Sequence, residues 1–147
     1  MVTLVIVSVL ATMAIPYTQN KVKREKESLL RDHLRQVRSA IDVFHNDWRD
    51  GKLDPNAEGV SVHGFPETLE VLVEGVVSSR ADGMIIRYMR RIPKDPFSID
   101  EFSDEPTWRL HGYADDTDST IWGSEDVYDI FSQSEDIALD GSQYDTW

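Results

Sequence analysis

The chain has 147 residues, 27 Asp and Glu against 15 Lys and Arg, a net charge of −12 and no cysteine. The missing cysteine excludes a disulfide framework, a thiolate metal site and a cysteine nucleophile, and the acidic balance argues against nucleic acid as a partner. The charge is unevenly divided: residues 1–49 hold 8 basic and 5 acidic side chains, and the remainder holds 7 and 22. The second part is therefore the acidic one, which suits solubility, cation binding or docking to a basic neighbour.

Met1 to Ile15 is an apolar run without charge or glycine, interrupted only by Thr3, Ser8 and Thr12. In lipid those hydroxyls can bond back to helix carbonyls. A bilayer core of about 30 Å asks for roughly 20 apolar residues, so the run is too short to span alone. Either it is an embedded signal segment or the chain lacks its beginning. A cleaved signal peptide fits poorly, because no basic region precedes the run. Nor does Pro16-Tyr17-Thr18-Gln19-Asn20-Lys21 offer a small-x-small cleavage pattern. The expectation is a retained membrane anchor.

Beyond Pro16 the apolar residues Leu30, Leu34, Val37, Ile41, Phe44 and Trp48 follow one another in steps of 4, 3, 4, 3 and 4, which is one stripe of a helix. The other faces carry Lys21, Lys23, Arg24, Lys26, Arg31, Arg35 and Arg38 interleaved with Glu25, Glu27, Asp32 and Asp42, and read mostly as a solvated surface with i,i+4 pairs. Asp50-Gly51-Lys52-Leu53-Asp54-Pro55 is a strong helix stop, so the stripe predicts packing on a following domain rather than a coiled coil. The division is a stem over residues 1–48, with 1–16 as its membrane or filament-core segment, and a globular domain over residues 49–147.

Within that domain, Gly64 to Gly75 reads as a turn feeding a short helix that Gly75 closes, with Leu69, Leu72 and Val73 on one face. A second short helix is expected around Ile85 to Arg91, ended by Pro93, and Pro93-Lys94-Asp95-Pro96 forces an extended crossing. Trp108-Arg109-Leu110-His111 alternates as a strand with Trp and Leu inward, and Val127 to Ser132 is the second strand candidate. Ala114 to Glu125, rich in Asp, Ser and Thr, reads as a connecting loop. The histidines His33, His45, His63 and His111 are scattered, with no His-x-x-x-His pair, no Gly-x-Ser-x-Gly elbow and no phosphate-binding glycine loop. Asp115 and Asp116 are an acidic pair, but in a loop where solvated charge is the default. The expectation is a protein that is not an enzyme.

Four segments, in order, carry a resemblance. Val7-Ser8-Val9-Leu10-Ala11-Thr12-Met13-Ala14-Ile15-Pro16 resembles Ile-Leu-Gly-Val-Leu-Ala-x-x-x-x-Pro, and Phe65-Pro66-x-Thr68-Leu69-Glu70-x-Leu72-Val73 resembles Tyr-Pro-Thr-Thr-Leu-Glu-x-Leu-Val. Tyr88-Met89-Arg90-Arg91-Ile92-Pro93-Lys94-Asp95-Pro96-Phe97 resembles Tyr-Leu-x-x-Leu-Pro-x-Asp-Pro-Trp, and Tyr128-Asp129-Ile130-Phe131-Ser132 through Trp147 resembles a tail of Tyr-Asp-x-x-Ser leading to Asn-Trp. Together they resemble the major, G-type pseudopilins of type II secretion, in the type IV pilin superfamily. The resemblance implies an α+β, pilin-like fold, with a long N-terminal helix packed on a small C-terminal antiparallel sheet with short helices. It also implies a filament subunit held by a single pass in a bacterial inner membrane, its domain in the periplasm. The partners it implies are further copies of the chain, other pseudopilins, the inner-membrane secretion platform and, for the precursor, a prepilin peptidase. Assembly falls to the anchor segment, here Leu4, Val7, Leu10, Ala11 and Pro16, whose small residues suit close helix contact in lipid.

The family's mature chain opens on Phe-Thr-Leu-x-Glu after a basic leader, and with the prolines aligned about six such residues are expected upstream of Met1. The only basic cluster follows the run, so the positive-inside rule applied to this sequence alone would instead leave the domain in the cytoplasm. The family also resembles itself in a C-terminal calcium loop of carboxylates and carbonyls on a glycine-rich stretch, and that stretch is missing. Asp136 stands at the matching offset from Ser132, and the later ligand is either Asp140 or Asp145; closely spaced carboxylates are the chemistry Ca2+ requires. The alternative is an ordinary Asp140-Gly141 turn with Asp136 and Asp145 solvated. Trp147 is expected to tuck back as an apolar plug. Other readings are a type IV or minor pilin of another machine, or a membrane-tethered calcium-binding module or enzyme.

Overall fold

A computed structural model describes residues 2–80, 83–98, 107–117 and 119–147, with side chains described from residue 20 onward. It is a mixed structure: one long helix at the N-terminus and two small antiparallel strand pairs, in the order α1 (Val2–Arg49), α2 (Val71–Glu74), β1 (Val76–Val77), β2 (Ile85–Ile86), β3 (Arg109–His111), β4 (Asp129–Phe131) and a closing 3-10 turn (Tyr144–Thr146).

The 48-residue helix α1 runs unbroken across Pro16, although that residue has no amide to offer the carbonyl of Thr12. It stops where Gly51 takes φ +70°, with Lys52 N–H bonded to the Asp47 carbonyl. Its stripe is buried: Leu30, Val37 and Phe44 are 0% exposed, Ile41 1% and Leu34 3%, while Trp48 is half-buried at the margin. Full burial is worth roughly 1.5–3 kcal/mol per such side chain, so five of them supply on the order of 10 kcal/mol, as large as a typical domain's whole net stability. The stem and the domain thus share one core, completed by Leu53, Leu72, Val76, Val127, Ile130 and Tyr144.

Gly75 closes α2 at φ +88°, a conformation in which a Cβ would lie 2.5 Å from the Ile86 carbonyl oxygen. Leu69 and Leu72 of the expected face are buried and Val73 is half-buried, packed against the core. The helix expected around Ile85 to Arg91 is not formed. Ile85 and Ile86 instead pair with Val77 and Val76, and the N–H groups of Tyr88 and Met89 both go to the Leu72 carbonyl. Adjacent β-branched residues favour a pleated neighbour over a helical turn, and the partner strand Val76–Val77 is the piece sequence reading left out.

The second ladder pairs Arg109 with Phe131, Leu110 with Ile130 and His111 with Asp129. Both expected strands therefore form, the first shorter by Trp108 at its start and the second trimmed at both ends. Trp108 is buried and Leu110 half-buried, packed on the core. The two ladders are separate two-stranded pairs rather than one sheet. The prolyl crossing is extended and pinned: Trp108 Nε1 donates to the Pro93 carbonyl at 2.8 Å, and Ser132 Oγ donates to buried Asp95 at 2.6 Å. Among the described residues of 114–125 there is neither helix nor strand.

Candidate functional site

The C-terminal tail, residues 132–147, folds back onto the stem, where polar side chains from three successive turns of α1 (Lys23, Glu27 and Arg31) and Arg38 two turns further on hold it. Lys23 Nζ donates to the Ile137 carbonyl at 2.5 Å. Glu27 accepts from the Leu139 N–H at 2.8 Å and the Tyr144 hydroxyl at 2.9 Å, and is itself only 7% exposed. Arg31 reaches Asp140 at 3.2 Å and lies 4.1 Å from the Trp147 ring centroid. Arg38 binds Asp129 at 2.6 Å, the Ile130 carbonyl at 2.8 Å and the Trp147 carbonyl at 2.7 Å. Trp147 thus tucks back as expected, half-buried, edge-on to Tyr144 and with its indole N–H on Ser142 Oγ.

These holding residues were read from the sequence as part of a solvated face. For Glu27 the contrary signal was present: it lies three residues before Leu30 and continues the 3,4 spacing of the buried stripe backwards. A carboxylate on that stripe costs several kcal/mol unless its oxygens are satisfied, and the Tyr144 hydroxyl and Leu139 amide satisfy them. Burial, together with the neighbouring Glu27 carboxylate, pushes the Tyr144 phenol well above its ordinary pKa.

Asp136, Asp140 and Asp145 all lie on this tail. Asp140 accepts from the Ser142 N–H at 3.0 Å and its hydroxyl at 2.6 Å, and these bonds, the hydroxyl first, hold its carboxyl below the usual range. Asp145 meets Arg109 at 3.5 Å through one oxygen, while the other is buried with no hydrogen-bond partner among the described residues. Asp136 is exposed and takes part in the tail through its backbone, its carbonyl accepting the Tyr144 N–H. Guanidinium groups stand beside two of the three carboxylates, and a single orphan oxygen is far from the six to eight that calcium takes. Among the described residues no group of three or more His, Asp or Glu is placed to hold a metal ion. The three aspartates as arranged do not fit a calcium site. Ala138 and Ser142, closing the Asp140-Gly141 turn with an N–H to carbonyl bond of 2.7 Å, give the ordinary turn instead.

The assembly candidates Leu4, Val7, Leu10, Ala11 and Pro16 fall on the helical backbone of α1, and their side chains lie outside the described residues. Among the described residues no helix is long and apolar enough to cross a membrane. Elsewhere, Arg87, Arg90 and Arg91 line a groove of about 690 Å3 with Gln36, Ser39 and Val43 of the stem. All three arginines are exposed, and none has an ion-pair partner among the described residues. The histidines remain dispersed: His33 contacts the Lys94 carbonyl, His45 stacks on Phe65, His63 lies against Tyr113 and His111 meets the Asp116 carbonyl. Compared with protein-family models, curated proteins and solved structures, the chain finds no match.

Proposed function

We propose that the chain is a structural subunit of a type II secretion pseudopilus, polymerising through its N-terminal helix, with a pilin-like fold and no enzymatic activity. The observation that carries the reading is the asymmetry of α1. Its second half is fixed into the domain core by Leu30, Leu34, Val37, Ile41 and Phe44, the described contacts between stem and tail begin only at Lys23, and yet the same helix continues back to Val2 through an apolar sequence. A rigid rod with an apolar end and a small domain at the other end suits a filament whose core is a bundle of such rods.

Further support comes from the grooved, arginine-lined face, where Arg87, Arg90 and Arg91 are available to carboxylates of a neighbouring copy whose domain is strongly acidic. On this reading the domain is periplasmic and the anchor lies in the inner membrane. The test is overproduction with the remaining secretion components and inspection by electron microscopy. Filaments are expected from the wild-type chain and not from Leu10→Arg or Ala11→Arg, which place a charge in the apolar rod; filaments that persist in both variants contradict the reading.

A further inference from the structure

Two charged patches of opposite sign are left unsatisfied on the domain. The first is the groove of Arg87, Arg90 and Arg91. The Tyr88 and Met89 amides are both spent on the Leu72 carbonyl and Met89 is buried, so the segment is anchored at its middle while the arginines beside it stay exposed. Asp47, the carboxylate that lines this groove, is already bound by Lys52 at 2.6 Å and by the Tyr88 hydroxyl at 3.2 Å.

The second patch is a groove of about 530 Å3 lined by Asp54, Glu58, Glu67 and Glu74 together with Val71 and Val77, and no basic residue is among the described ones that line it. Its frame is fixed by the Glu67 N–H on the Gly59 carbonyl and by the close of α2 at Gly75. All four carboxylates are exposed, and none has an ion-pair partner among the described residues. Carboxylates elsewhere on the domain are engaged: Asp129, Asp140 and Asp145 by arginines, and Asp115 by the Gly112 and Gly123 amides. Ile86 lines the first groove and its ladder partner Val76 the second, and no residue lines both. The patches are neighbours across β1 and β2 but separate surfaces, and each carries a half-exposed valine, Val43 at 47% and Val77 at 48%.

We infer that the arginine patch of one copy docks on the acidic patch of the next, Arg87, Arg90 and Arg91 meeting Glu58, Glu67 and Glu74, in a head-to-tail contact between domains. The occupant is argued from charge complementarity. Three cations whose groove holds no free carboxylate, and four carboxylates whose groove holds no cation, stand on the same chain, so a second copy supplies the missing partner to both. A single exposed ion pair contributes little, but several brought together, with guanidinium forks on carboxylates, fix the register of a contact and reject like-charged alternatives. Because the two patches differ, each docking leaves one patch of either kind free at the ends of the pair, and the contact propagates instead of closing. The inference rests on the filament of the proposed function and names the domain surfaces that would order its subunits.

Because the chain has no cysteine, introduced thiols are unambiguous. Two differently tagged full chains, one with Val43→Cys and one with Val77→Cys, are produced together in membranes with the secretion components and treated with a short bis-maleimide. Mixed dimers are expected at several times the yield of the Val43–Val43 and Val77–Val77 pairs, falling several-fold at raised salt. Arg87→Glu/Arg90→Glu/Arg91→Glu in the Val43→Cys copy is expected to lower the mixed yield several-fold, and Glu58→Arg/Glu67→Arg/Glu74→Arg in the Val77→Cys copy to restore it. If a reversed chain fails to fold, the unreversed pair and its salt dependence decide the question alone. Mixed dimers no more abundant than the same-site pairs overturn the contact. So does a chain carrying both Val43→Cys and Val77→Cys that stops at dimers, the sign of a closed two-fold pair, where a ladder of multimers is expected. If the contact fails while Leu10→Cys/Ala14→Cys still gives multimers in the same membranes, the filament reading stands without it; if neither pair cross-links, both fall.

Discussion

Replacing Glu27 by alanine removes the buried link among those between the stem and the tail, and its cost follows from the bonds it makes. The carboxylate accepts from the Leu139 amide and the Tyr144 hydroxyl at 2.8 and 2.9 Å, in a place where the residue is 7% exposed and Tyr144 is fully buried. Hydrogen bonds to a charged group are worth about 1.5–3 kcal/mol each, and truncation also leaves a buried hydroxyl and amide without an acceptor. Glu27→Ala is therefore expected to destabilise the chain by about 3–5 kcal/mol. At a few degrees per kcal/mol for a chain of this size, that lowers Tm by roughly 10–20 °C. Glu27→Gln keeps one acceptor oxygen and is expected to cost only about 1 kcal/mol. The assay is thermal and urea unfolding of the full chain in non-ionic detergent, followed by tryptophan fluorescence, with Tyr144→Phe and the double variant completing a cycle. A Glu27→Ala chain within about 0.5 kcal/mol of wild type, the margin of an ordinary surface change, refutes the clamp.

Gly64 takes φ +78°, and a Cβ there would lie 2.3 Å from the Trp48 ring, so Gly64→Ala combines backbone strain with a clash and is expected to cost more than about 2 kcal/mol in urea unfolding. The pH dependence has two limbs. Asp140, depressed by the Ser142 hydroxyl and N–H, and Asp115, depressed by the Gly112 and Gly123 amides, contribute stability that is complete above about pH 4 and lost as pH falls through their folded values. Tyr144, raised by burial and by Glu27, contributes fully below about pH 10 and loses its contribution as pH rises beyond that. Urea midpoints against pH are expected to flatten on the acid side in Asp140→Asn and on the alkaline side in Tyr144→Phe. Calcium is expected to leave Tm unchanged, and so is a chelator; a rise of several degrees with calcium would mean that Asp136, Asp140 and Asp145 rearrange around the ion.

The stem was legible because its stripe is a one-dimensional signal: Leu30 to Phe44 repeat at helical spacing, and that spacing alone chooses the buried face. The strands around Leu110 and Ile130 were legible for the same reason at period two. What stayed hidden depends on pairing between distant segments. Val76–Val77 is too short to announce itself, and it is the partner that draws Ile85 and Ile86 out of a helix. The tail clamp joins residues more than 100 positions apart, Lys23 with Ile137 and Glu27 with Tyr144. A run of charges on a helix surface does not say which of them a returning chain will cover. The aspartates of the tail were legible as carboxylates but not as partners of Arg31 and Arg109, since neither arginine is near them in sequence.

The measurement that bears most directly on the central proposal is cross-linking between anchor helices in the membrane, in a chain whose lack of cysteine leaves no competing thiol. With Leu10→Cys and Ala14→Cys introduced together and the chain expressed beside its secretion components, oxidation is expected to give a ladder of dimers, trimers and higher multimers. The ladder should be lost when Ala11→Arg is added. A chain that remains monomeric under the same oxidation, while present in the membrane at the same level, contradicts the filament-subunit account.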